Sequence, residues 1–183
     1  MPAPISKSFP SRKTKRRAKS LKPPFPKVSA RELAYDLKTA ALHECAHAVV
    51  ASHLGYDGTA LLFRKLELEP GERAVAGKYM TASMPKQRAA VVGWAGAIAE
   101  WIAGGNTDYD EFADNVPICP PSSTDYQCIA AVSKAARERT MKTAWGLVVK
   151  NWREIEQLAA KCQKRFRRNG FTCVVTISGR QEP

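Results

Sequence analysis

Apolar and polar positions alternate with a helical period over most of the chain, and two short stretches alternate with a period closer to two. Ser29 and Glu32 stand at capping-box spacing before an apolar-periodic run. This predicts a helix over Ala30–Leu54, with Gly55 as its left-handed stop. Thr59–Glu69 partly alternates and is rich in Leu, which predicts a strand; Pro70-Gly71 is a turn signal, and Arg73–Thr81 predicts a second strand. Pro85 suits the start of a helix that runs to about Ala103 and stops at Gly104-Gly105. Residues 105–121 read as a long irregular loop, acidic at first (Asp108, Asp110, Glu111, Asp114) and closing on Pro120-Pro121. A helix capped by Ser122 or Ser123 is expected to about Arg139, and another over Lys142–Arg167. On the latter, Trp145, Val148, Trp152, Ile155, Ala159 and Cys162 form one apolar stripe. A bundle-core face is the favoured reading of that stripe, and a subunit contact in an oligomer the second. Phe171–Ile177 predicts a terminal strand. The fold class is therefore mainly α with a small β element.

Residues 1–28 fall outside this pattern. They are rich in Pro, Ser, Lys and Arg, hold nine basic residues and no acidic one, and are expected to be a disordered basic tail. Residues 29–183 are expected to form one domain. The formal net charge of +12 thus resolves into +9 on the tail and +3 on the remainder, so the high pI does not characterise the whole protein. Arg12, Lys13, Lys15, Arg16, Arg17 and Lys19 are candidates to contact nucleic acid or an acidic partner. Few aromatics accompany them, so base stacking is not indicated, and a solubilising tail is the plainer reading. Lys161–Arg168 is a second basic cluster, read as the exposed end of the last helix.

Several classes are excluded. The longest apolar run, Ala89–Gly105, contains Glu100 and is shorter than the ~20 residues a bilayer core requires. No apolar segment follows the N-terminal charges as in a secretory signal, and the prolines disfavour the amphipathic helix of a transit peptide. The five cysteines are odd in number and lack CxxC spacing, which fits reduced thiols and a cytoplasmic location. No GxxxxGK[ST] occurs, so no ATPase is expected.

The chemistry lies in Leu42-His43-Glu44-Cys45-Ala46-His47-Ala48, an HExxH within a strongly helical segment. Residues four apart return to nearly the same helix face, so both imidazoles can bind one metal. Glu44, next to His43, can reach a water at that metal without ligating it, as zinc hydrolysis requires. The fold expected is a zincin-like HExxH helix in a helical bundle, with one zinc ion as cofactor. Chance pairing on one helix is the bland reading, but two of only three histidines occupy the motif.

The third ligand is less determined. His53 lies six residues after His47, the metzincin spacing, but Val50 stands where that pattern needs Gly for its turn, so His53 is disfavoured. Two carboxylates on predicted helices remain: Glu100, in an otherwise apolar run that calls for a partner, and Asp125, in a first helical turn. Spacing alone does not choose between them. Cys119 and Cys128 flank Asp125 without metal-binding spacing and read as plain thiols.

From about residue 37 to 162 the chain resembles the peptidase domain of the FtsH family of zinc proteases. The likeness rests on Thr39–Ala51 around the motif, the strand and turn of Phe63–Gly77, Ala95-Gly96-Ala97-Ile98-Ala99-Glu100, and Ser123-Thr124-Asp125 opening a helix. The resemblance implies that His43, His47 and Asp125 bind zinc, that Glu44 is the base, and that Glu100 orients a ligating histidine. Cys45-Ala46 and Ala97 depart from the family pattern, and neither a motor module nor membrane helices are found. The expectation is a stand-alone, ATP-independent zinc metalloendopeptidase acting on a peptide or protein substrate. Two alternatives are a non-catalytic, zinc-stapled binding module with a nucleic-acid-contacting tail, and a dedicated protease that cuts one regulator.

Overall fold

The computed structural model describes residues 25–81, 83–116 and 123–180. Among them are six helices and three strands: α1 (Ala30–His53), β1 (Gly58–Arg64), β2 (Val75–Thr81), α2 (Lys86–Ala103), α3 (Tyr109–Asn115), α4 (Thr124–Ala130), α5 (Lys134–Lys150), α6 (Trp152–Arg168) and β3 (Thr172–Ile177). The protein is mainly helical with a small antiparallel sheet in the order β2-β1-β3. No described helix is long and apolar enough to cross a membrane.

Helix α1 is the spine. Ser29 Oγ accepts from the Glu32 amide at 3.1 Å and the Glu32 carboxylate accepts from the Ser29 amide at 2.8 Å, so the capping box closes. Gly55, at φ +86°, ends the helix. From Ala40 to Ser52 all but one α1 residue are buried, because α2, α6 and the sheet enclose the helix from different sides. The small residues Ala41, Ala48, Ala95 and Ala99 are fully buried there and let the elements approach.

The sheet turns alternate residues inward. Leu62 on β1 pairs with Gly77 on β2 and with Cys173 on β3, and Ala60 pairs with Tyr79 and Val175. Leu62, Ala60, Cys173 and Val175 are buried, whereas Leu61 and Val174, one residue along, face outward. This register brings Gly77 against Glu44 of α1.

Four sequence expectations need correction. Part of the stretch expected as loop is helix α3: Asp108 caps it by accepting from the Glu111 amide at 2.9 Å, and Phe112 anchors it in the core between Trp101 and Trp145. The helix expected from Ser123 to Arg139 is two helices. Ser133 accepts from the Ala136 amide and starts α5 after a short break. The next helix breaks as well, at Asn151, so the apolar stripe is shared between α5 and α6. Its Val148, Ile155, Ala159 and Cys162 remain buried core residues. The first strand is also shorter than expected, ending at Arg64.

Residues 1–24 of the expected tail, with its six candidate contact residues, lie outside the described residues. Phe25, also assigned to that tail, packs edge-on against Phe171 at 5.1 Å, and the Pro26 carbonyl accepts from Arg64 at 3.0 Å.

Candidate metal centre

Four elements converge where α1 crosses α2. Helix α1 presents His43, Glu44 and His47. Helix α2 presents Gly93, Gly96 and Glu100, which at i, i+3 and i+7 share one face. Helix α4 brings Asp125 in its first turn, after Ser123 accepts from the Tyr126 amide at 3.1 Å as N-cap. Strand β2 closes the side with Gly77 and Tyr79.

The two glycines of α2 are spatial requirements. A Cβ at Gly96 would overlap the His43 ring, and one at Gly93 would lie 3.1 Å from the Asp125 carbonyl oxygen. Gly77 has the same relation to Glu44, whose carboxylate occupies the volume a side chain would need. Each glycine lets a functional group of another element come close.

The hydrogen bonds fix both imidazole tautomers. His47 Nδ1 donates to the Val92 carbonyl at 2.6 Å, and a carbonyl can only accept. His43 Nδ1 lies 2.8 Å from Glu100 Oε1, and that carboxylate is ionised, its pKa lowered to about 2. Burial opposes that lowering; the bonds from His43 and Arg73 outweigh it. With both Nδ1 atoms acting as donors, each neutral ring turns an Nε2 lone pair inward. His43 Nε2 is 3.1 Å and His47 Nε2 3.3 Å from the same Asp125 Oδ2. His47 is buried at 1% exposure, and its Nε2 has no hydrogen-bond partner.

Two nitrogen lone pairs and a carboxylate oxygen facing one another repel unless a cation lies among them. A proton on His43 is one such cation. Burial lowers the His43 pKa, but the carboxylates of Asp125, Glu100 and Glu44 outweigh it and hold that pKa well above the usual value. The Asp125 pKa is pushed far down by the two imidazoles, against the effect of burial. A metal ion is the other cation. One atom each from His43, His47 and Asp125 lies within 4.8 Å of the others, so the three could hold a metal ion. The orphaned His47 nitrogen, the room left by Gly96 and the borderline N,N,O donor set all fit that role.

Glu44 is buried beside the cluster, and burial is the main cause of its raised pKa. It lies between two openings. The larger, of about 380 Å³, is lined by Glu44, Tyr79, Met80, Met84, Val92, Asp125 and Cys128 among others. The Tyr79 ring stacks beside His47 at 5.5 Å, and burial pushes its phenol up to about 12.

Of the two carboxylates that spacing left open, Asp125 joins the histidine pair, and Glu100 stands behind His43. His53 is remote from both rings and faces Glu154 at 3.4 Å. Cys128 lines the groove outside the metal-competent group, and Cys119 lies outside the described residues. Arg73 was not singled out in the sequence. Its guanidinium reaches Glu100 Oε1 and Oε2 at 3.1 and 2.8 Å, from a loop held to α1 by the Ala74 amide donating to Asp36 at 2.7 Å. No sequence signal marks that pairing. Gly93 and Gly96 did carry one, because glycine inside a helix costs about 1 kcal/mol relative to alanine and needs a reason.

No protein-family model matches this chain, and no curated protein matches it.

Proposed function

We propose that the chain is a zinc-dependent peptidase, an FtsH-like peptidase domain that hydrolyses peptide bonds without ATP, with Glu44 as general base. The observation that carries this reading is the convergence of His43 Nε2, His47 Nε2 and Asp125 Oδ2 beside a groove that is also lined by a separate carboxylate, Glu44. A purely structural site does not need that fourth group or the opening beside it.

Bound zinc would supply a Lewis acid that brings a water's pKa to about 7 and polarises a carbonyl. His43, His47 and Asp125 would hold it, and Glu100 fixes the His43 ring by accepting from Nδ1. Glu44 takes the proton of the attacking water and delivers it to the leaving amine as the C–N bond breaks. Its raised pKa suits both halves of that transfer, since a carboxylate closer to neutral pH both accepts and releases a proton readily. Met80, Met84, Val92 and Ala89 give the groove an apolar floor on which a substrate side chain can lie and exclude water.

The deciding variant is Glu44→Gln, assayed on an unfolded protein such as casein with zinc content measured in parallel. The expected outcome is about one equivalent of zinc retained and turnover reduced by at least ~10²-fold. Unchanged turnover overturns the assignment of Glu44. Zinc bound by a parent protein that cleaves nothing favours the zinc-stapled binding module instead.

A further inference from the structure

Three thiols meet behind the metal centre. Cys45 lies inside the histidine motif on α1, Cys162 on α6 and Cys173 on β3. All three are free and buried, Cys45 and Cys162 completely. Cys45 Sγ and Cys162 Sγ lie 3.5 Å apart, in direct contact across the α1–α6 packing although 117 residues separate them in the chain. Cys173 hydrogen-bonds to the same Cys162 thiol. The proposed hydrolysis uses none of these sulfurs.

The pair is placed to form a bond. A disulfide holds its sulfurs about 2.05 Å apart, so from 3.5 Å these two have to close by only about 1.5 Å, with no group between them. Cys162 is the thiol set to react first. The hydrogen bond from Cys45 and that from Cys173 lower its pKa against the effect of burial, and Arg165, three residues on, adds a positive charge in the same sense. Strand β3 is an edge strand, and Thr172 and Val174 on either side of Cys173 are exposed. A single strand therefore separates the thiols from solvent on that side, a distance that a small oxidant crosses when the edge opens locally.

We infer that Cys45 and Cys162 are a redox-reactive pair that hydrogen peroxide joins as a disulfide, and that the cross-link loosens the metal centre. The Cys162 sulfur attacks one peroxide oxygen and the O–O bond breaks. One water leaves with the Cys162 proton, and Cys162 becomes a sulfenic acid. The Cys45 sulfur then attacks Cys162, the S–O bond breaks, and a second water leaves with the Cys45 proton. The two thiols lose two electrons, and the peroxide is reduced to two waters. The new bond ties α1 to α6 directly behind the histidines. Cys45 is two residues from both His43 and His47, about 200° around the helix from each. A pull toward α6 therefore draws both imidazoles away from Asp125, which lies 3.1 and 3.3 Å from them in the reduced protein. This effect on the site rests on the metal-centre reading; the cross-link itself does not.

The test treats the full chain with hydrogen peroxide, maps its disulfides by mass spectrometry of unreduced peptides, and reverses them with dithiothreitol. A Cys45–Cys162 disulfide is the expected product. Zinc competition against a chromogenic chelator should then show affinity reduced at least about tenfold, and casein turnover should fall by about 10²-fold, the scale of a misplacement of about 1 Å in a site. Dithiothreitol should restore both. Cys162→Ala should keep the parent's zinc affinity under reducing conditions and lose the response to peroxide; if that variant does not fold, Cys45→Ala gives the same reading. The inference is overturned if peroxide forms no Cys45–Cys162 disulfide, or joins other cysteines in its place. A disulfide that leaves zinc affinity within about twofold of the reduced protein overturns the coupling to the metal centre. A parent that binds zinc but cleaves nothing refutes the peptidase reading alone, because the cross-link and its effect on zinc are read without turnover.

Discussion

Glu100→Gln separates a metal ligand from the residue that orients one. The substitution keeps the size of the side chain and removes its charge. In the parent, Glu100 accepts from His43 Nδ1 at 2.8 Å and from Arg73 at 3.1 and 2.8 Å. A glutamine oxygen can still accept from His43, but the amide NH₂ then faces the Arg73 guanidinium, donor against donor. The fall of the Glu100 pKa from 4.5 to about 2 corresponds to roughly 3 kcal/mol favouring the carboxylate. Part of that belongs to Arg73, whose side chain is 44% exposed and hence screened by water. The share acting on His43 fits the ~10–100-fold loss of metal affinity typical of removing an outer hydrogen-bond partner. That loss amounts to about 1.4–2.8 kcal/mol. The assay is zinc competition against a chromogenic chelator at neutral pH. Glu100→Gln should bind zinc ~10–100-fold more weakly, while Asp125→Ala should lose stoichiometric zinc. The pH dependence supplies a sign. The folded-state pKa lies below the unfolded one, so the stabilisation from Glu100 is complete above 4.5 and is lost as the pH falls toward 2. The metal-free parent and Glu100→Gln should therefore differ in melting temperature at pH 6 and converge in acid. Parent-like zinc affinity in Glu100→Gln, or zinc retained by Asp125→Ala and lost from Glu100→Gln, refutes the assignment.

Two further substitutions probe the scaffold. Gly96→Ala places a methyl group where the His43 ring lies, so zinc affinity should fall at least about tenfold while helix α2, if anything, gains propensity; parent-like affinity would show that the ring can move away at little cost. Phe112→Ala removes a fully buried ring lying 5.7 Å from Trp101 and 5.5 Å from Trp145, and should cost about 3–5 kcal/mol in urea denaturation; a loss below about 1 kcal/mol would mean α3 is not anchored by it.

What could be read in the sequence was what short-range periodicity encodes. The α1 capping box, its Gly55 stop and the pairing of His43 with His47 on one face are all set by neighbours within a few residues. Helix α3 was not legible, because Phe112 is its only buried residue and a helix of seven residues is marginal in water. Trp101 and Trp145 supply its stability from other elements. The break before α5 did carry a local signal, Ser133 as N-cap, but an unbroken run of helix-forming residues on both sides masked it. The choice between Asp125 and Glu100 was beyond periodicity, since both are first-rank carboxylates on helices and only tertiary placement distinguishes them.

The same limit explains why Arg73, and the purpose of the two helical glycines, stood out only in three dimensions. Arg73 acts from a loop, and its partner lies 27 residues away on a helix. Gly93, Gly96 and Glu100 share one stripe of α2, and read alone that stripe is only an apolar helix interrupted by two weak positions and one charge. Placed against α1, the three have a common purpose. Gly96 makes room for the His43 ring, Gly93 admits the backbone of Asp125, and Glu100 accepts the hydrogen bond of His43 Nδ1, so each sets one coordinate of the metal-competent group. A site built in this way is sensitive to added volume as well as to lost charge. An alanine at Gly96 and a glutamine at Glu100 should therefore weaken metal binding through different causes. Because both act on the same His43 ring, the double variant should fall short of the sum of the two, whereas full additivity would mean that the two positions do not meet at that ring.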